Sequence, residues 1–252
     1  MNAELIHAGL GWPIALTLVA LSFASSFITV AFGIGGGVIM LAVLAVLLPA
    51  PAVIPVHGLV QLGSNAGRLS IMLRHVHRSV VPAFLLGAII GVALGGTLVV
   101  QLPSGAVQLG VGLFILWSVF ANPPGFMRNS AALNGAISSF LTMFFGGTGP
   151  FVATFVKAQD LDRMNHVATH AALMTIQHLL KIVVFGFLGF AFAQWAGFVA
   201  LLIAAGFAGT IVGRMALARI DNKSFRFLLN TVLALLAIRL IWSGGSGLLA
   251  GP

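Results

Sequence analysis

Cysteine is missing from all 252 residues, which excludes disulfides, iron–sulfur ligation and thiol chemistry. Carboxylates are nearly missing as well, with Glu4, Asp160, Asp162 and Asp221 the whole supply. Charged residues together make up 6% of the chain, against about a quarter in a soluble domain. That shortage, beside 60% hydrophobic residues and a mean hydropathy of +1.12, excludes a soluble fold and leaves an all-α, polytopic membrane protein. The scarcity of acid has a second consequence. All four carboxylates fall at the N-terminus or in loops, so none is left within a span to relay protons or hold sodium. Coupling to protons would then rest on a histidine. Residues 1–11 carry no Lys or Arg, so they lack the basic start of a secretory signal, and the first apolar run is expected to stay in the mature protein.

What is present is a series of apolar runs, ten in all, near residues 12–32, 37–49, 52–73, 79–101, 105–121, 129–145, 149–159, 163–190, 192–217 and 224–243. The second and seventh have 11 to 13 residues, short of the roughly 20 needed to cross a hydrocarbon core. They are either tilted crossings or the return arms of re-entrant hairpins. The net charge of +8 does not point to nucleic acid, because most of the cations sit in short connections: Arg74 and Arg78, Arg128, Lys157 and Arg163, and Arg219, Lys223 and Arg226. The remaining connections are neutral. By the positive-inside rule the basic loops are cytoplasmic, the termini are periplasmic, and the charge meets anionic lipid headgroups. Trp12, Trp117, Trp195 and Trp242 all fall near segment ends, where an aromatic belt would sit.

Two glycine-rich breaks precede the short segments: Phe32-Gly33-Ile34-Gly35-Gly36-Gly37 and Phe144-Phe145-Gly146-Gly147-Thr148-Gly149-Pro150. Such a break lets a helix start with bare backbone, its free N–H groups turned toward an anion. Past each break the next long segment carries a histidine and, eleven residues on, a cation: His57 and Arg68, then His170 and Lys181. Gly91 and Gly95 correspond in the same way to Gly209 and Gly213. With an odd number of crossings per half, the halves are expected to be two inverted-topology repeats of about five segments each, residues 1–122 and 123–252, in one membrane domain.

His57, Gln61, Ser64, Asn65 and Arg68 share one narrow helical face, and His166, His170, Gln177, His178 and Lys181 repeat the theme. A polar stripe in an apolar helix belongs in the protein interior or a wet cavity. Eleven residues of helix span about 16.5 Å, so one member of each pair lies deep and the other nearer a surface. The candidate substrate-binding residues are therefore Gly35, Gly36, Gly37, His57, Gln61, Asn65, Arg68, Gly147, Thr148, Gly149, His170, Gln177 and Lys181. Plainer readings stand beside these: glycines that only allow tight packing, an Arg68 that snorkels to the surface, and histidines satisfied between helices. His166 and His170 have metal-ligand spacing, but no cysteine or carboxylate joins them, so no metal and no cofactor is expected.

The run Pro55-Val-His-Gly-Leu-Val-Gln-Leu-Gly-Ser-Asn-Ala-Gly-Arg68 and the two glycine tips, Phe32 to Gly37 and Gly146 to Pro150, resemble the sulfite exporter TauE/SafE family, also known as the toluene-sulfonate uptake permeases. The resemblance covers nearly the whole chain. It implies a bacterial inner-membrane carrier for a small sulfur anion, sulfite or an organosulfonate such as sulfoacetate, with seven to ten spans arising by duplication. A homodimer is compatible with it. Two other classes compete: an anion channel sharing the site, and an intramembrane enzyme using His57 or His170. The chain has no Gly-x-Ser-x-Gly elbow and no His-Glu-x-x-His, which weighs against the enzyme.

Overall fold

The computed structural model describes residues 7–32, 35–99, 103–121, 124–216 and 222–249. Gly33 and Ile34 of the first break, and Arg219 of the last basic connection, lie outside the described residues, as do the side chains of Lys223 and Arg226. Ten helices longer than one turn fill the described residues, with no strand among them. They are α1 (Trp12–Phe32), α2 (Gly36–Leu47), α3 (Ala50–Met72), α4 (Val81–Val99), α5 (Ser104–Phe120), α6 (Ala131–Phe145), α7 (Gly149–Lys157), α8 (Arg163–Phe187), α9 (Ala196–Ala216) and α10 (Asn222–Leu249).

Local chemistry marks the helix starts. Pro13, Pro51, Pro82 and Pro150 each stand second in a helix, where a missing N–H costs no intrahelical bond. Ser130 caps α6 by accepting from the Leu133 N–H, and Asp162 caps α8 by accepting from the N–H groups of Met164 and Asn165. Helix α9 begins at Ala196, not 192, because Phe192–Trp195 forms a 3-10 turn that packs on it. Trp195 in that turn is buried and Trp117 stacks on Phe114 and Phe151, so these two are packing residues, while Trp12 and Trp242 are exposed as an aromatic belt requires.

Five of the described helices are long and apolar enough to cross a membrane. Helix α3 has the length, at 23 residues, but its polar stripe lowers its hydropathy. By rise per residue, α2 and α7 are about 18 Å and 14 Å long, short of the roughly 30 Å of hydrocarbon. Neither crosses alone. The outward faces are apolar: Leu86, Ile90, Leu94 and Leu98 of α4 are each about half exposed or more, the face expected of a multi-pass membrane protein.

The opposite face of α4 is glycine. Gly87 and Gly91 lie directly on the backbone carbonyls of Ala132 and Ala136, so α4 and α6 run side by side in the same direction at close range. Gly209 and Gly213 of α9 do the same on Phe23 and Phe27 of α1. Helices α3 and α8 pair antiparallel through the centre, with Gly58 on Lys181 at one level and the His77 N–H donating to Thr169 Oγ1 at the far end. Helices α5 and α10 pair antiparallel through Gly105, Gly112 and Gly244. The main pairings are thus α1 with α9, α4 with α6, α3 with α8 and α5 with α10. Exchanging the first five helices for the last five maps this set onto itself.

Candidate functional site

Each glycine break bends where only glycine bends easily: Gly35 has φ 111° and Gly146 has φ 76°. The chain then enters α2 at Gly36 and α7 at Gly149 with no side-chain cap at either start. The first amides of both helices precede the intrahelical ladder, which opens with Val38 and Ile39 donating to Gly35 and with Phe151 donating to Thr148. The two breaks are neighbours: a Cβ on Gly146 or Gly147 would touch Leu41 of α2 at 3.0 or 3.1 Å. Behind the second break Phe114, Trp117, Phe145 and Phe151 stack with centroids 5.0 to 6.0 Å apart, bracing the start of α7.

Both starts open on one cavity, about 50 Å³ of space for the centre of a water-sized sphere. Gly35, Gly37, Gly147 and Gly149 line it, with His57, Gln61, Asn65 and Arg68 from α3 and His170 from α8. The two histidines tie the long helices to the short ones. His57 Nε2 lies 3.0 Å from the Gly37 carbonyl, to which it donates in the Nε2–H tautomer, and 3.3 Å from the Gln61 side-chain nitrogen, from which it accepts in the other. His170 Nε2 lies 3.2 Å from the Gly149 carbonyl. Arg68 is buried, and its one hydrogen bond among the described residues runs from Nη1 to Asn65 Oδ1 at 3.3 Å, leaving Nε without a partner. Asn65 in turn donates to the Gln61 carbonyl at 2.8 Å.

Four of the sequence-predicted residues stand back from the cavity. Gly36 faces α1, its missing side chain admitting the Ser25 carbonyl and Thr29. Thr148 and Gln177 are fully buried in a chain of hydrogen bonds: Ser138 Oγ donates to Gln177 Oε1 at 3.0 Å and Gln177 Nε2 donates to Thr148 Oγ1 at 2.6 Å. They hold the second break without facing the cavity. Lys181 is fully buried between α3, α6 and α8, its Nζ 3.5 Å from Thr142 Oγ1. Conversely, Thr29, Val38, Gly146, Pro150, Met174 and His178 line the cavity without having been singled out as binding residues. His178 has both ring nitrogens buried and unpartnered.

A single register organises these positions. His57, Gln61, Asn65 and Arg68 have His170, Met174, His178 and Lys181 exactly 113 positions later, and of these eight only Lys181 is not in the wall. The same step carries Ser25, Ser26 and Thr29 of α1 to Ser138, Ser139 and Thr142 of α6. It also carries the α1 contacts of Gly209 and Gly213, Phe23 and Phe27, to the α6 contacts of Gly91 and Gly95, Ala136 and Phe140. The hydroxyl triplet is the signal in the sequence that points to Thr29.

Chemically, the cavity offers bare amides, a guanidinium and a histidine with free nitrogens, all suited to a compact oxyanion. The chain matches the family profile described as Sulfite exporter TauE/SafE over residues 18–240. It belongs to the sulfite exporter TauE/SafE family. No curated protein and no solved structure matches it significantly. In this TauE/SafE protein the matched span takes in both glycine breaks, both polar stripes and the cavity between them. Membership of this family implies a membrane transporter with a small anion as substrate, and the apolar outer faces fit a multi-pass membrane protein.

Proposed function

We propose that the protein is a secondary transporter that holds sulfite, or a sulfonate of similar head, between the starts of α2 and α7 and moves it across the bacterial inner membrane by alternating access. The carrying observation is that two uncapped, glycine-built helix starts open on one small cavity beside Arg68, a buried cation with no carboxylate partner among the described residues. Unpaired buried charge is costly, and an anion in the cavity offsets that cost. The amides of Gly37 and Gly149 and the guanidinium would share the oxygens of the guest. The cavity is small, about 50 Å³ of space for the centre of a water-sized sphere, which suits compact sulfite better than the longer sulfoacetate. Longer sulfonates need the site to open further.

Two inverted repeats, residues 1–122 and 123–252, are the moving parts in this proposal. The self-mapping helix pairs, the 113-residue register and the opposite placement of the breaks support it. The α1–α2 hairpin has its open end beside the neutral Leu48–Pro49 connection and the α6–α7 hairpin beside the basic Arg128 and Lys157. The basic ends face the cytoplasm and its anionic lipids, and the termini face the periplasm. The test is sulfite binding by purified protein, read as a rise in melting temperature and by titration calorimetry. Arg68→Gln removes charge-assisted bonds worth about 1.5–3 kcal/mol, an expected ten- to hundredfold loss of affinity. A folded Arg68→Gln protein that binds sulfite as tightly as the parent would defeat the proposal. Uptake that saturates with sulfite supports a carrier, whereas unitary currents in a planar bilayer would replace it with a channel.

A further inference from the structure

The one break in the register is Lys181. Its counterpart Arg68 lines the cavity together with Thr29, whereas Lys181 is sealed with Thr142, the counterpart of Thr29. Lys181 is fully buried, with its amine near the Thr142 hydroxyl and its methylenes against Gly58. No carboxylate reaches it among the described residues, since Asp160 and Asp162 precede the far end of α8, about 27 Å away along the helix. The other ionisable groups on the helices packed around it are His57 and Arg68 on α3 and Arg163, His166, His170 and His178 on its own helix; α4 and α6 carry none.

Three ring nitrogens beside Lys181 are unpartnered. His57 Nδ1 and both nitrogens of His178 are buried without hydrogen bonds, and the two rings meet edge to face with centroids 6.0 Å apart. Beyond them, at the neutral end, lies a second groove of about 340 Å³ lined by Ile54, Pro55, Phe185 and Leu188. Ile54 and Phe185 stand one turn past His57 and Lys181 on the same helices. Lys181 and the two histidines therefore form the partition between the central cavity and this groove.

We infer that Thr142, Lys181, His57 and His178 form a second anion half-site, closed in this structure, that opens toward the neutral end when the Thr29–Arg68 half closes. The inference rests on the proposed function and adds that the two cations hold the anion in turn, not together. Half-sites related by pseudo-twofold exchange are the form alternating access takes in a protein of two repeats. A collapsed half-site also explains why these three ring nitrogens lack partners, since buried polar groups otherwise find them.

Two measurements test it. Lys181→Met keeps the shape of the chain without its charge. Its sulfite affinity in detergent should stay within about threefold of the parent, because the Arg68 half binds in this state, while efflux of radiolabelled sulfite from proteoliposomes should fall at least tenfold and Lys181→Arg should restore it. Parental efflux in Lys181→Met overturns the inference, as does a loss of binding equal to that of Arg68→Gln. Parental affinity in Arg68→Gln instead defeats the proposed function beneath it. The second measurement needs no ligand and no change at Lys181. In this cysteine-free chain, Thr29→Cys and Thr142→Cys should each label fully with a bulky charged thiosulfonate, the second at least tenfold more slowly. The double variant should stop at one adduct per chain by mass spectrometry, the first label holding its half open. Two adducts per chain, or none at Thr142→Cys alone, refutes the exchange.

Discussion

Three glycines at the helix starts look alike in sequence and differ in what a single methyl would meet, which makes alanine substitution a sharp test of the site. At Gly36 the new carbon lands on the Ser25 backbone carbonyl of α1, which cannot swing aside, and on Thr29. Overpacking of this kind costs about 1–3 kcal/mol, and here the upper end applies because the obstacle is main chain. At Gly37 it lands on the Gln61 side-chain amide, which can move but then leaves His57, losing a bond worth about 1 kcal/mol and adding roughly 0.5–1.5 kcal/mol if the new rotamer is poor. At Gly149 the nearest atoms are Met174 Cε at 3.8 Å and His170 Nε2 at 4.0 Å, ordinary contacts that cost little. At about 2–4 °C per kcal/mol for a chain of this size, melting temperatures in detergent should order as parent and Gly149→Ala, then Gly37→Ala, then Gly36→Ala, the last lower by roughly 6–12 °C. Sulfite affinity should order differently. Gly37→Ala and Gly149→Ala place a methyl in the cavity wall and should each weaken binding several-fold, whereas Gly36→Ala, facing α1, should bind nearly as the parent does at temperatures where it remains folded. If Gly36→Ala melts with the parent, or if the two cavity-facing variants bind undiminished while Gly36→Ala alone loses sulfite, the reasoning from the helix starts fails.

Gln177→Leu leaves the buried Ser138 and Thr148 hydroxyls without their partner, and should lower stability by about 2–4 kcal/mol in thermal or chemical denaturation, with Ser138→Ala/Gln177→Leu recovering part of it. Asn134→Ala removes bonds at 3.3 and 3.0 Å to the carbonyls of Met127 and Phe151, uncoupling α6 from α7, and should show the loss as faster amide exchange across 149–157. Gly209→Leu drives a side chain into the Phe23 backbone and should abolish the parent's monodisperse peak on size exclusion, whereas Gly245→Leu, with open space around it, should leave that peak unchanged.

The helices were legible because they depend on local chemistry. Proline at the second position of four helices, caps at Ser130 and Asp162, and apolar runs ended by glycine or charge place nine of the ten within a few residues of where the sequence predicts them, while α10 runs on to Leu249. The polar stripe of α3 was legible for the same reason: residues four apart on a helix share a face, so His57, Gln61 and Asn65 reach one cavity together. The contribution of α1 was harder to see, since a serine or threonine in an apolar span can bond to its own backbone and signals nothing by itself. Thr29 does so, to Ser25, and is recognisable only through the 113-residue step to Thr142.

Composition and spacing by themselves determined a helical membrane protein with two glycine-started short helices and two polar stripes, because hydropathy, helix periodicity and backbone freedom are properties of neighbouring residues. Only the tertiary structure decided which members of those stripes share a cavity. Gly36, Thr148, Gln177 and Lys181 have the same credentials in sequence as Gly37, Gly149, Asn65 and Arg68, yet the first four turn into packing and the second four into the cavity wall. The difference lies in how α3 and α8 cross between the two breaks, where a shift of less than one helical turn moves a side chain from wall to core. That crossing is set by contacts between residues more than a hundred positions apart, Gly58 on Lys181 above all, which no local pattern records.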